Sequence, residues 1–168
     1  MLKLIIISLI VLSGIVLFVF ALFPSEVSVT QFVLINAPLD SVRRTVADVR
    51  TWKNWNELVK QSVKGKNGSD SSAAKFDSIS LRSENLTILL EKVRPDSIVS
   101  YWQDRRGKSF IGKFVTGEAN GQTMLAWTMD FHLHWYPWEK MASMFYDRQL
   151  SPVMQVSLVN LRNRLERH

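Results

Sequence analysis

The stretch that decides the fold runs from Lys75 to His134 and reads KFDSISLRSENLTILLEKVRPDSIVSYWQDRRGKSFIGKFVTGEANGQTMLAWTMDFHLH. Its short runs of β-branched and aromatic residues are typical of strands. We predict strands over Lys75–Ser83, Leu86–Arg94, Ile98–Asp104, Ser109–Glu118 and Thr123–His134. Segments with turn chemistry, rich in Pro, Asp, Asn and Gly, separate these runs. Because links this short join antiparallel neighbours, the stretch predicts an antiparallel meander.

The segment before the meander predicts one more strand and two short helices. Glu26–Asn36 is β-branched and loosely alternating, which indicates a first strand. Pro38–Val49 begins with a proline suited to a first helical turn and carries valines at helical spacing. Thr51–Leu58 follows as a second short helix, and its two tryptophans are expected to close one end of the core. The polar stretch Lys64–Ala74 is predicted to be a loop.

A long helix is predicted at the C-terminus, from about Trp138 to Arg167. Its apolar residues trace one stripe: Met141, Phe145, Leu150, Val153, Met154, Leu158, Leu161 and Leu165. Pro152 lies inside the stripe and is expected to kink the helix or divide it in two. The sheet and the helix each have one apolar face to bury, which predicts an α+β fold with a curved antiparallel sheet wrapped around the C-terminal helix.

Three stretches of this chain resemble the START-like (Bet v 1-like) superfamily, also called SRPBCC or polyketide cyclase/dehydrase and lipid transport proteins. Val33–Val42 is similar to the opening motif "v-x-I-x-A-P-x-x-x-V", and Val49–Asn56 to the motif "D-x-x-x-W-x-x-W-N", with Asp48 one position from the usual acid. The last stretch, Val156–Glu166, looks like the closing "G-L-x-x-L-K-x-x-x-E" with Ser and Arg in place of its Gly and Lys. The resemblance covers Val27–Glu166, nearly the whole chain after its N-terminal segment.

The resemblance implies a helix-grip fold with a hydrophobic cavity between the sheet and the long helix. Members of the superfamily mostly bind lipids, sterols, polyketides or other apolar ligands, and a minority catalyse cyclisation or hydrolysis. The fold therefore leaves the function to be argued from the site.

The N-terminal segment Leu2–Phe23 is apolar, with Lys3 as its only charge. A helix over it, rising about 1.5 Å per residue, covers roughly 30 Å, the thickness of a bilayer core. The run is longer than the apolar region of a signal peptide, and bulky Phe23 stands near its end where cleavage requires a small residue. We predict a transmembrane anchor over residues 1–24 and a START-like SRPBCC domain over residues 25–168, an arrangement that looks like a membrane-anchored bacterial type.

Charge and cysteine content narrow the function classes. Lys3 and the N-terminal amine precede the apolar run and Glu26 is the first charge after it, which favours an extracytoplasmic domain on a single-pass protein. The net charge of +6 is spread over the chain and fits a solvated surface or attraction to anionic lipid headgroups. No nucleic-acid-binding module accompanies it, so nucleic acid is not expected as a partner. The absence of cysteine excludes disulfides, thiol catalysis and Cys-ligated metal.

The aromatic and methionine side chains of the meander and the last helix suit the lining of a cavity, because Met adapts its shape to flexible apolar ligands. The alternative is that they only fill the core. The predicted ligand-binding residues are Trp102, Phe110, Phe114, Trp127, Met129, Phe131, Met141, Phe145 and Met154.

Metal binding and catalysis have weaker sequence support. Asp130, His132 and His134 alternate along one strand, so they share a face that either starts a metal site or is a polar outer surface. We predict the polar surface, no metal and no cofactor. The chain has no Gly-x-Ser-x-Gly motif, and its acidic residues form no identifiable acid/base pair.

The sequence therefore favours a membrane-tethered protein that binds a hydrophobic or amphipathic, lipid-like molecule between the sheet and the C-terminal helix. Two alternatives stay open. One is a polyketide cyclase- or hydrolase-like enzyme that uses the same cavity. The other is a scaffold that binds no ligand and meets a membrane partner through its surface.

Overall fold

The computed structural model describes residues 2–21, 26–64, 74–133, 136, 139 and 145–167. The helices are α1 (Leu2–Ala21), α2 (Leu39–Ala47), α3 (Trp52–Trp55), α4 (Glu57–Val63) and α5 (Tyr146–Leu165), with a 3-10 turn at Val49–Thr51. The strands are β1 (Glu26–Ile35), β2 (Lys75–Phe76), β3 (Ser80–Arg82), β4 (Leu86–Val93), β5 (Ser97–Asp104), β6 (Ser109–Ala119) and β7 (Gln122–His132). The α+β class and the predicted order of strand, short helices, meander and long helix are confirmed.

The strands form one antiparallel sheet in the order β1-β7-β6-β5-β4-β3-β2. Consecutive strands from β2 to β7 are neighbours, as the short turns predict, and β1 closes back onto β7. Glu26 at the start of β1 pairs with His132 at the end of β7, and Ile35 pairs with Thr123. The helix-grip architecture of a curved sheet and a C-terminal helix is therefore confirmed.

Two predicted element boundaries were wrong, and one of the two outcomes expected at Pro152, a divided helix, is not observed. The predicted strand Lys75–Ser83 is a tight hairpin of β2 and β3, because Asp77 donates its N–H to the carbonyl of Ser80 at 2.8 Å and turns the chain back. The predicted helix Thr51–Leu58 is interrupted at Asn56, whose side chain caps α4 by accepting the N–H of Val59 at 3.2 Å. Pro152 does not divide α5, which continues on both sides of it.

The start of the predicted C-terminal helix is only partly described. Residues 138 and 140–144, where we expected its first turns, lie outside the described residues, and α5 is described from Tyr146.

The core between the sheet and the helices is filled by large aromatic rings. Five of them are fully buried: Trp52, Trp55, Trp102, Phe114 and Trp127. Their rings contact one another, with the centroids of Phe114 and Trp127 5.2 Å apart and those of Trp52 and Trp102 5.5 Å apart. Aromatic pairs at such distances add to the free energy of burial. The tryptophans of α3 therefore close the core, in agreement with the interpretation of Thr51–Leu58 as a core element.

Polar contacts fix α5 against β1 and α4. Gln31 donates to the Ser151 hydroxyl at 3.0 Å, and the backbone N–H of Asn36 donates to Glu166 at 2.8 Å. The Ser157 hydroxyl accepts the N–H of Glu57 at 2.8 Å. The helix is thus held at both of its ends along the edge strand, which sets the width of the space beneath it.

α1 forms over most of the predicted anchor, and Lys3 is its only charged residue. Its large apolar side chains between Leu4 and Phe18 are mostly exposed, Leu4 by 72% and Phe18 by 67%. Among the described residues, no helix combines the length and the hydropathy that crossing a membrane requires. The transmembrane part of the predicted architecture is therefore not confirmed. Residues 22–25, which end the predicted anchor and begin the predicted domain, lie outside the described part of the chain.

Candidate functional site

An apolar pocket of about 200 Å³ lies between the inner face of the sheet, α4 and α5. The described residues that line it are Leu58, Ser62, Asn85, Leu86, Trp102, Phe110, Met129, Phe131 and Leu150. None of these side chains is ionisable, and the polar groups among them are those of Ser62, Asn85 and Trp102. The Asn85 amide donates to the backbone carbonyl of Ser62 at 3.2 Å, and the Ser62 hydroxyl donates to the carbonyl of Val59 at 2.8 Å, so these two polar groups are already bonded. The arrangement suits an apolar guest.

The aromatic part of one row of paired residues across the sheet, from Phe131 to Trp102, forms the floor of this pocket. Val27 pairs with Phe131, Phe131 with Phe110, and Phe110 with Trp102. Paired residues on neighbouring strands point to the same face, so the alternation of each strand brings these side chains to the core side. The ring centroids of Phe110 and Phe131 are 5.1 Å apart, and those of Trp102 and Phe110 are 5.6 Å apart. The floor is therefore a continuous aromatic surface.

A buried chain of hydrogen bonds holds Trp102 in this floor. Its indole N–H donates to the Ser100 hydroxyl at 2.8 Å, and that hydroxyl donates to the Gly112 carbonyl at 3.0 Å. Ser100 and Trp102 are both fully buried. Gly112 is required beside them, because a Cβ at this position would lie 2.6 Å from Trp102 Nε1 and 2.7 Å from Ser100 Oγ. The glycine thus makes room for the hydrogen bond that orients the ring.

A larger and more polar cleft of about 640 Å³ lies around the ends of β5, β6 and β7. It shares Phe110 and Phe131 with the apolar pocket, so these two rings stand between the two spaces. Lys108 pairs with Glu139 there at 3.6 Å. The carboxylate of Asp104 accepts the backbone N–H groups of Arg106 and Lys108 at 2.8 and 2.9 Å. The cleft therefore offers polar groups next to the apolar pocket.

The structure divides the predicted ligand-binding residues into four groups. Trp102, Phe110, Met129 and Phe131 line the apolar pocket. Phe114, Trp127 and Met154 are fully buried in the core and do not appear in the pocket wall. Phe145 is 53% exposed at the start of α5. Met141 lies outside the described residues.

The sequence reasoning missed the walls that the helices contribute. Leu58 and Ser62 come from α4 and Leu150 from α5, while Leu86 is the first residue of β4 and Asn85 directly precedes it. Leu150 belongs to the predicted apolar stripe of the C-terminal helix, and that stripe is the signal by which it could have been found. Nothing in the sequence distinguishes Leu58 or Leu86 from ordinary core residues.

The polar residues considered as a metal site lie on the outer face of the sheet. Asp130 accepts a hydrogen bond from the Ser28 hydroxyl at 2.5 Å, and His132 lies 3.3 Å from the carboxylate of Glu26. His134 lies outside the described residues. In the part of the chain that the structure describes, no three potential ligands are grouped as a metal ion requires.

Solved structures with the same fold share little sequence with this chain. DynU16, from the dynemicin biosynthetic locus, is similar at 18% identity with a TM-score of 0.56, over 83% of this chain and 47% of its own. The di-domain ARO/CYC StfQ, from the steffimycin pathway, is similar at 10% identity with a TM-score of 0.58, over 84% of this chain and 51% of its own. This chain thus spans about half the length of both proteins.

A protein from Rhizobium leguminosarum matches over nearly its whole length. Its identity is 13% and its TM-score 0.56, over 85% of this chain and 96% of its own. At such identities, these likenesses show the fold alone. A search of curated proteins found no match. The model of the family described as polyketide cyclase / dehydrase and lipid transport matches residues 26–166, nearly everything after α1. This chain therefore belongs to the polyketide cyclase/dehydrase and lipid transport family.

Proposed function

We propose that this protein binds a hydrophobic or amphipathic, lipid-like small molecule in the apolar pocket between the sheet, α4 and α5, and that α1 holds it at a membrane. The observation that carries the proposal is the lining of the pocket, which has aromatic and aliphatic walls and no ionisable side chain among the described residues. Removing apolar surface from water stabilises a complex by about 25 cal/mol per Å².

The size of the pocket indicates which part of a ligand it takes. Its volume of about 200 Å³ is below the ~300–1,000 Å³ of sites that enclose a whole drug-sized molecule. The neighbouring cleft is larger and carries Arg106, Lys108 and Glu139. We propose that an acyl chain or a small ring enters the pocket past Phe110 and Phe131, while the polar end of the molecule stays in the cleft.

The cyclase- or hydrolase-like alternative receives less support from this geometry. StfQ is described as an ARO/CYC protein, but general acid–base chemistry needs a titratable group within hydrogen-bond reach of the reacting atoms. The described lining of the apolar pocket provides none, and the titratable groups nearby, such as Asp104 and Glu139, lie in the neighbouring cleft. The scaffold alternative is favoured by the buried aromatic rings that fill most of the core, and the binding experiment below separates it from the proposal.

Membrane attachment is proposed from the exposed apolar surface of α1. Fully burying one Leu or Ile side chain contributes about 1.5–3 kcal/mol, and α1 presents these residues around its whole circumference with Lys3 as its only charge. A lipid phase is the environment that removes such a surface from water. We propose an anchor over residues 1–24, a binding domain over residues 25–168 and an extracytoplasmic position for the domain.

The test uses a substitution that fills the pocket. Leu150→Trp places a larger ring in the pocket wall, whereas Val156→Trp places the same ring on the same helix at a site that is 50% exposed. The full chain in phosphatidylcholine nanodiscs is titrated with a dansyl-labelled fatty acid, and energy transfer from tryptophan to the dye is recorded. We expect saturable transfer in the wild type and in Val156→Trp, and at least a tenfold weaker affinity in Leu150→Trp. Equal, non-saturable transfer in all three proteins would reject the pocket as a binding site and favour the scaffold.

A further inference from the structure

We infer that the apolar pocket opens at the end of the domain that faces the bilayer, so that its ligand is a membrane-dissolved amphiphile taken from the lipid phase. This inference rests on the proposed function, since it requires both the pocket and the attachment through α1. It adds the source of the ligand and the face of the domain that contacts the membrane.

The sheet register places the pocket at the end where the chain leaves α1. Glu26 is the first residue of β1, and it pairs with His132 at the end of β7. The next row of the sheet is Val27, Phe131, Phe110 and Trp102, and its three aromatic residues form the pocket floor. Neighbouring strands are about 4.8 Å apart, so Trp102 lies only about 15 Å from β1 across this row.

The connection between α1 and the sheet is short. Glu26 follows Ala21, the last residue of α1, by five positions. A fully extended chain spans at most about 3.6 Å per residue, so Glu26 lies within roughly 18 Å of the end of α1. With α1 in a bilayer, this end of the sheet cannot move far from the lipid surface.

The opposite end of the sheet is directed away from the membrane. β1 runs from Glu26 to Ile35, and at about 3.4 Å per residue its length is roughly 30 Å. Ile35 pairs with Thr123, beside the turn between β6 and β7 that contains Asn120 and Gly121. The α2 end of the domain and this turn are therefore farther from the bilayer than the pocket.

The turn between β5 and β6 is the part of the pocket end that we expect to touch the headgroups. Residues 105–109 in this turn are exposed, and Arg105 and Lys108 pair with Glu84 and Glu139 at 3.4 and 3.6 Å. Because carboxylates accompany these cations, the contact does not depend on anionic lipid. The position of the tether, rather than charge, brings the turn to the surface.

The test measures the proximity of each end of the sheet to lipid headgroups. The chain contains no cysteine, so Arg106→Cys and Glu118→Cys each give one labelling site, at the pocket end and at the opposite end respectively. Both residues are exposed, Arg106 in the turn between β5 and β6 and Glu118 near the end of β6. Each full-length variant is labelled with the dye NBD and reconstituted in phosphatidylcholine vesicles doped with a headgroup-spin-labelled lipid.

We expect strong quenching of the dye at residue 106 and at least fivefold weaker quenching at residue 118. Equal quenching, or stronger quenching at 118, would overturn the inference even if the dansyl fatty acid binds the pocket. If that fatty acid fails to bind in the Leu150→Trp comparison, the proposed function is rejected on its own readout, and the assigned ligand source is rejected with it.

Discussion

Replacing Ser100 by Ala tests the reasoning about how the pocket floor is held. The hydroxyl of Ser100 accepts the indole N–H of Trp102 at 2.8 Å, and both residues are fully buried. The substitution leaves that N–H without its acceptor in a site that water does not reach. An unsatisfied buried donor costs about 1–3 kcal/mol, compared with about 0.5–1.5 kcal/mol for an ordinary hydrogen bond.

The cost of Ser100→Ala is measured as thermal unfolding of the full chain in detergent micelles, followed by near-ultraviolet circular dichroism. For a domain of this size, 1–3 kcal/mol lowers the Tm by roughly 3–12 °C. The matched control is Ser97→Ala on the same strand, whose hydroxyl donates to Asp96 at 3.2 Å at an exposed position, and we expect its effect to stay within about 0.5 kcal/mol. A Tm for Ser100→Ala equal to that of the control would refute the buried chain of hydrogen bonds.

Three further comparisons test the packing and the electrostatics of the domain. Gly112→Ala should destabilise the domain by about 1–3 kcal/mol, because its Cβ would lie 2.6 Å from Trp102 Nε1 and 2.7 Å from Ser100 Oγ. The control, Gly117→Ala on the same strand, has its nearest atom 3.9 Å away and should leave the Tm nearly unchanged. Similar losses of Tm in the two variants would count against the close packing at Gly112. In denaturant unfolding, Trp127→Phe should lower the free energy of unfolding by about 1 kcal/mol less than Trp102→Phe does. Both rings are fully buried, but the Trp127 N–H has no partner among the described residues and so no hydrogen bond to lose. A larger loss in Trp127→Phe would contradict the hydrogen bond of Trp102. The Arg50 side chain, by its hydrogen bonds to Asp48, lowers the pKa of the Asp48 carboxyl. The pair therefore stabilises the folded state above about pH 4, and this stabilisation is lost as the pH falls through the lowered pKa of Asp48. Asp48→Asn should therefore flatten the decline of Tm below pH 4, and an unchanged decline would exclude a role for the pair.

The turn chemistry of the meander was sufficient to predict β4, β5, β6 and β7. Pro95-Asp96 and Asn120-Gly121 are residues that close tight antiparallel turns, and Asn120 and Gly121 both adopt positive φ there. The split of Lys75–Ser83 could not be predicted in the same way, because Asp77-Ser78-Ile79 has no glycine or proline. The hairpin there depends on contacts made by residues distant in sequence, such as the bond from the Val49 N–H to the Ser78 carbonyl at 2.9 Å.

The site was predictable only on its sheet side. Trp102, Phe110, Met129 and Phe131 were selected as aromatic and methionine residues of the predicted strands, and all four line the pocket. The same criterion also selects Phe114 and Trp127, which are fully buried and fill the core. Periodicity gives the face of a strand but not the distance to the helix above it. That distance is set by contacts such as that between Gln31 and Ser151, which no local pattern reveals.

The measurement that tests the central claim most directly is photolabelling of the full chain in nanodiscs with a fatty acid that carries a diazirine on its acyl chain, followed by peptide mapping. We expect label on peptides from the pocket wall, those containing Leu58, Leu86, Phe131 and Leu150. Unlabelled fatty acid should compete with this labelling. The label should be lost in Leu150→Trp and kept in Val156→Trp. Label confined to α1, with none on these peptides, would contradict the claim that the space between the sheet and α5 binds an apolar molecule.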